Sequence, residues 1–532
     1  MRILLLALLM VFPLPSTVRA AEAAFPFAEA TIDGLQARMA SGELSARALT
    51  AAYLRRIADI DQAGPMLRAV IEINPDALAI AESLDAERAA GRGRGPLHGI
   101  PVLLKDNIAT TDRMATTAGS LALVGHRPSR EAHLVTRLRA AGAVILGKTN
   151  LSEWANLRGE RSVSGWSGRG GQTLNPYALD RSPSGSSSGS AVAVAANLCV
   201  AAIGTETSGS IISPSAVCGV VGFKPTVGLV SRSGVIPIAA SFDTAGPITR
   251  TVRDAAIILA ALASADERDA ATGFLPPALP TELARPLPAG ALRGARLGWL
   301  ARSGFRPNLD AVQAAALAGL RAAGAEIVPL AEFPGLGAAE QPQIEVMLYE
   351  MKAGINAYLA DLAPGATIKA LTDVIAFNDA NWSREQPLFG QQYFHRAQAK
   401  GPLSDPACLE SRAACRRIAG AEGIDTLVAR HRLEALVTLA TAPARLIAPP
   451  AGGDPLFGPT GSGGGGSGGW TPAAMAGYPS VTVPLAQVTG LPVGLLFYGP
   501  AWTEVKLLAL AAAFEAQTHA RREPALRATA GE

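Results

Sequence analysis

Lys105 ends the apolar run of GIPVLLKDN, and two glycine- and serine-rich loops follow it within SPSGSSSGSAVAVAANLCVAAIGTETSGS, residues 182–210. A lysine at the end of a buried strand is uncommon unless it has a partner or a task. Serine hydroxyls are weak nucleophiles at neutral pH and need a group to accept their proton. An amine can do this when it is neutral, and removal from water is what lowers its pKa far enough. Val102, Leu103 and Leu104 offer Lys105 such surroundings. Loops of this composition also let the backbone approach a substrate closely. The combination points to a serine hydrolase that works without histidine.

The elements that must hold these residues are legible in outline. The segment AVAVAANLCVAAI between the loops is apolar and long enough for a helix and a strand, so the stretch is no linker. Residues 28–63 and 75–91 carry helical periodicity, PLHGIPVLL reads as a strand, EAHLVTRLRAAG as a helix closed by Gly142, AVILG as a strand, and NLSEWANLRG as the start of another helical turn. This alternation is that of an α/β protein. Five prolines between Phe274 and Gly290 predict a surface crossing, and 308–435 reads as mostly helical. YPSVTVPL and LPVGLLFYG predict two strands before a final alanine-rich helix. Buried strands at both ends of the chain favour one large domain over residues 25–525, interrupted by a flexible Gly/Ser loop at 461–469.

Two motif matches fail on context. Gly142 to Thr149 fits the phosphate-loop pattern, yet Ala-Val-Ile-Leu between its glycines reads as a strand rather than a cradle of amides. Gly185 to Gly189 fits G-x-S-x-G, but NPYALDRSPS before it supplies no strand for a nucleophile elbow. Ser186 and Ser187 also stand where helix N-caps belong, and Ser210 where a turn residue would.

With 532 residues, 49% hydrophobic and 17% charged, the chain is neither disordered nor basic enough for nucleic acid; its net charge is +3. Arg2, the run ILLLALLMV and Val18-Arg19-Ala20 read as a cleaved export signal over residues 1–20, with a periplasmic or secreted destination. The apolar run is short of the roughly 20 residues that a membrane anchor needs. Four cysteines are too few for a disulfide scaffold and match no zinc spacing, so no metal or organic cofactor is expected. Cys408 and Cys415 could pair in an oxidising compartment, though in one continuous helix they would lie about 10 Å apart, and the fold is not expected to depend on that bridge.

The blocks PLHGIPVLLKDN, GKTNLSEWA, SGSSSGSAVAVAANLCVAAIGTETSGSIISPSAVCGVVGFKPTVGLVSRSGVIPI and AGYPSVTVPLAQVTGLPVGLLFYG together resemble the amidase signature hydrolases. Within that family, TNLSEWANLRG and SGWSGRGGQTLNPY are most similar to bacterial peptide amidases. The resemblance implies a many-stranded mixed sheet flanked by helices and a Ser-Ser-Lys triad: Ser210 as nucleophile, Ser186 as proton bridge, Lys105 as base. It implies an oxyanion hole at the amides of Thr207, Ser208, Gly209 and Ser210. Ser187 and Thr205 are expected to orient Lys105 and Ser186, and Trp470 to line or cover the pocket. Ser184 and Ser208 stand where the family commonly has glycine, and Ser208 bears on substrate preference.

The implied activity is hydrolysis of carboxamide C–N bonds, including C-terminal peptide amides but not peptide bonds, with release of ammonia and without obligate partner subunits. Three alternatives stand beside it. One is a broad aliphatic or aryl amidase. Another is the glutamine-hydrolysing component of a tRNA amidotransferase, disfavoured by the export signal. The third is a catalytically inactive binder of amides or peptides.

Overall fold

The computed structural model describes residues 25–301, 308–447 and 468–531. The export signal expected over 1–20 lies outside the described residues, as does the expected 461–469 loop apart from Gly468 and Gly469. Thirteen strands occur among the described residues: β1 Val70–Ile73, β2 Pro101–Lys105, β3 Val144–Thr149, β4 Trp166–Ser167, β5 Gly171–Gln172, β6 Ala201–Glu206 and β7 Val221–Lys224 come first. They are followed by β8 Thr244–Thr249, β9 Arg296–Leu300, β10 Glu326–Leu330, β11 Ala435–Leu439, β12 Ser480–Val488 and β13 Leu491–Tyr498. Eleven of them form one sheet in the order β1-β3-β2-β6-β8-β7-β12-β13-β11-β9-β10, and β4 pairs with β5 in a separate hairpin.

The sheet is mixed. β2 runs parallel to β3 and β6 on either side, with Lys105 opposite Thr149 and Leu104 opposite Ile203. β6 is antiparallel to β8, and β12 to β7 and β13. Strands covered on both faces read as continuous apolar runs, which is why PVLLK and VILGKT are buried at every position. Helix Ser188–Ala195 is buried throughout, its alanines and valines packed in the main core with Leu103 and Ile203. Among the described residues no helix is long and apolar enough to cross a membrane.

A second core is separate from the main one. It joins Val346, Met347, Met351 and Ile355 of helix Glu340–Ala360 to Trp154, Leu157 and Ile238. Arg158 fastens this helical lobe from inside. Its guanidinium, fully buried, pairs with Glu153, donates to the carbonyls of Glu385 and Phe389, and stacks 4.2 Å from the Phe389 ring.

Three local expectations change. The turn beginning NLSEWANLRG is not right-handed helix: Trp154, Ala155 and Asn156 have φ of 47°, 53° and 72°. Burial of Glu153 toward Arg158 and of the Trp154 ring against Phe394 sets that left-handed path. The stretch 308–435 is mostly helical, but it also holds β10, a strand at the sheet edge that the helical reading leaves out. The proline-rich crossing after Phe274 contains one short helix, Leu279–Leu283, with Leu279 and Leu283 buried. Gly142, at φ +81°, closes helix His133–Ala140 before β3, which leaves no phosphate cradle between Gly142 and Gly147. All four cysteines are free and buried.

Candidate active site

Lys105 leaves the carboxyl end of β2 in the middle of the parallel segment, fully buried. Its Nζ lies 2.7 Å from Ser186 Oγ, 2.8 Å from Thr205 Oγ1 and 3.2 Å from the Thr205 carbonyl. Burial pushes the ammonium down from 10.5 to about 7, against the opposing attraction of Asp243 and Glu206. Two other lysines, Lys148 and Lys224, are buried as well. Lys148 donates to the Ile108 carbonyl at 2.6 Å and to the Thr116 hydroxyl at 2.9 Å, and Lys224 to the carbonyls of Pro225 and Tyr478. Of the three, Lys105 alone has a hydrogen bond to a serine hydroxyl.

Thr205 holds the lysine with both its oxygens, and Ser187 holds Thr205. The Ser187 hydroxyl donates to the Thr205 carbonyl at 3.0 Å and accepts the Thr205 N–H at 3.2 Å. Ser187 occupies the N-cap position of helix Ser188–Ala195 but makes no side-chain cap there, its hydroxyl being committed to Thr205. Gly204 permits this approach, since a Cβ on it would stand 2.8 Å from Ser187 Oγ. The two expected orienting residues thus meet Lys105 and Ser186 in one cluster.

Ser210 comes from the second loop, which the Ser187 N–H ties to the first by a 3.0 Å bond to the Ser210 carbonyl. It is 8% exposed, where Ser186 and Lys105 are wholly enclosed, so of the three it is the one that reaches the surface of a pocket. Among the described residues, the amides of Ser208, Gly209 and Ser210 donate to no protein acceptor. Glu206 pins the far side of the loop by accepting the N–H groups of Ile211 and Ile212 at 2.8 and 3.0 Å. Thr207 donates its hydroxyl to Asp243 at 2.5 Å, and Gln343 reaches Ser208 Oγ at 3.3 Å. Free amides on a loop held from both sides are what stabilisation of a developing oxyanion needs.

Trp470, expected at the pocket, sits behind the loop. Its ring is buried with Ile212, Ala216, Leu496 and Tyr498 and lies against Gly209, where an added Cβ would come within 2.3 Å of the indole. It supports the backbone of the loop at Gly209.

A cleft of about 230 Å³ opens beside this constellation, walled by Asn107, Thr205, Thr207 and Asp243 and by the apolar Val235–Ile238 segment. A narrower pocket at Ser210 itself is bounded by Gly185, Asn156, Leu157, Ser208 and Met347. Ala155, Thr207 and Ile238 belong to both. Sequence reasoning missed Asn107, Glu206, Asp243, Gln343 and Tyr358. Asn107 and Glu206 were within reach, the first two places after Lys105 and the second inside the serine loop; the others arrive from distant segments.

The fold and this site define a family. The amidase family model matches residues 48–508, and the chain belongs to that family, the amidase signature hydrolases. A solved peptide amidase from Stenotrophomonas maltophilia is 52% identical to it, covering 94% of this chain and 99% of that one with a TM-score of 0.87. A probable amidase of Arabidopsis thaliana is 37% identical over 511 residues, 94% of this chain and 92% of that protein. A glutamyl-tRNA(Gln) amidotransferase component from Salinispora arenicola is 34% identical over 531 residues, 93% of this chain and 98% of that protein.

Proposed function

We infer that the chain is an exported amidase that hydrolyses primary carboxamides, C-terminal peptide amides among them, through a Ser210 acyl-enzyme. The observation that carries this reading is the enclosed Lys105–Ser186 contact at 2.7 Å, with the lysine brought to about 7 by burial. A neutral Lys105 takes the Ser186 proton while Ser186 takes that of Ser210 as it attacks the carbonyl. The amides of the 207–210 loop receive the charge on the carbonyl oxygen. The proton then returns through Ser186 to the departing nitrogen, which leaves as ammonia. Water repeats the sequence to release the acid. The similarity to peptide amidase supports the substrate class. The export reading rests on residues 1–20 alone, and no metal, cofactor or partner chain enters the scheme.

Ammonia release from an N-blocked dipeptide amide by purified residues 21–532, beside Ser210→Ala, tests the reading. Release by the parent alone supports it. Glutamine hydrolysed in preference to the peptide amide would move the protein toward the tRNA amidotransferases, and no turnover of any amide would favour a binding protein.

Two further outcomes are expected. Because Lys105 acts in its neutral form, kcat/KM falls about tenfold per pH unit below roughly pH 7. A flat profile between pH 5 and 8 would contradict a lysine base. Gly209→Ala is expected to lower kcat at least about 100-fold, since φ is +83° and the new methyl meets the Trp470 ring. Unchanged turnover at saturating substrate would remove the 207–210 loop from the mechanism.

A further inference from the structure

Asp243 is a carboxylate in the cleft wall that the proton relay does not use. One of its oxygens accepts the Thr207 hydroxyl at 2.5 Å, on the loop that ends in Ser210. The other accepts the N–H groups of Ile238 and Ala239 at 2.8 and 2.9 Å. Thr207 and Ile238 line both the cleft and the narrow pocket at Ser210. A single side chain thus ties the loop of free amides to the apolar wall of the pocket, and hydrogen bonds to an ionised acceptor are about twice as strong as neutral ones.

The charge has a second consequence. Burial pushes the Asp243 carboxyl up to about 6, against its three bonds and the charge of Arg232. The attraction that opposes the burial of the Lys105 ammonium comes first from Asp243 and then from Glu206, whose Oε2 is spent on the amides of Ile211 and Ile212. The other charges around them have partners. Arg232 pairs with Asp269, Arg268 at the exposed rim donates to Asp266 at 3.2 Å, and Glu350 takes Arg412 and the Ser241 N–H. Asp106, next to Lys105, meets Thr117, Gly119 and Arg169, and with burial it pushes the Tyr358 phenol up. A buried lysine with no anion near it gives up its proton easily but is a weak base.

We propose that Asp243 is a positioning residue for the Ser210 reaction, holding Thr207 and Ile238 in register while its charge maintains the basicity of Lys105. The proposal rests on the amidase reading and extends it to a side chain that touches no reacting atom.

Ammonia release from N-acetylalanylphenylalaninamide, measured between pH 5 and 9, separates the tie from the charge. Asp243→Asn keeps an acceptor for the two N–H groups and a polar partner for Thr207, but carries no charge. Loss of a neighbouring anion makes the protonated lysine less stable, so the midpoint of the acid limb of kcat/KM is expected about 0.5–1 pH unit below the parent's. Thr207→Val keeps the charge and loses the tie. Its kcat is expected about 10- to 100-fold lower, with KM within about threefold and the acid limb where the parent has it. An Asp243→Asn midpoint equal to the parent's would overturn the proposal, and so would Thr207→Val at the parent's kcat. Should the asparagine variant fail to fold, the valine variant, which removes one hydroxyl, still decides. Parent turnover with both variants unaltered would bring down this proposal alone; ammonia from no amide, the parent included, would bring down the amidase reading with it.

Discussion

Ser210→Ala is expected to lower kcat for a peptide amide about 10⁶-fold, the scale on which removal of a serine nucleophile acts in a concerted triad. The side chain contributes little to the fold. Its hydroxyl sits on the cleft side, whereas the bonds that hold the loop use the Ser210 carbonyl and the amides of Ile211 and Ile212. Those backbone groups survive the substitution, so the melting temperature should stay within about 2 °C of the parent, a surface-scale perturbation. The residual rate reports what the amides and the cleft do without a nucleophile. Thermal melts and stopped assays on the same preparation check both halves. Activity retained above one-tenth in a folded variant would mean that another hydroxyl attacks.

Lys105→Met is expected to remove about 10⁴-fold of activity, because general base and relay are lost together. Its effect on stability should depend on pH in a defined direction. In the unfolded chain Lys105 binds its proton up to about 10.5; in the fold it holds it only up to about 7. Between these values the unfolded state carries the extra proton, so the stability contributed by this group rises with pH across that window. Below about 7 the full cost of burying the ammonium is present. The parent should therefore gain on the methionine variant as pH rises from 7 toward 10, since Lys148 and Lys224 are common to both. Melting curves at pH 6, 8 and 10 measure the gap; a gap independent of pH would mean that Lys105 titrates normally.

The sheet was legible where a single property spoke. PVLLK and AVILG are apolar at consecutive positions because strands on both sides and helices on both faces enclose them, and Lys105 stood out as the charge at the end of such a run. The helix after Ser187 was legible from its alanines and valines, though not that Ser187 would give up its cap for Thr205. What stayed hidden depends on distant pairings. The left-handed turn at 154–156 answers to Arg158 and to Phe394, and β10 gains its partner only when β9 lies beside it. Trp470 follows a glycine run that says nothing of Gly209. Likewise nothing near Asn107 announces that Tyr358 will share its cleft.

The placement of Lys105 has an evolutionary consequence. Lys105, Ser186, Ser210 and Asn107 are set by the sheet and the two loops leaning on it, whereas Gln343, Met347 and Tyr358 come from helix Glu340–Ala360. On the proposed function, reaction and selectivity are thereby carried by separable stretches of chain. Descendants can rewrite residues of helix Glu340–Ala360 and acquire new substrates while the proposed proton relay, on other segments, is inherited unaltered. A library confined to that helix is expected to explore new acyl groups at little risk to turnover.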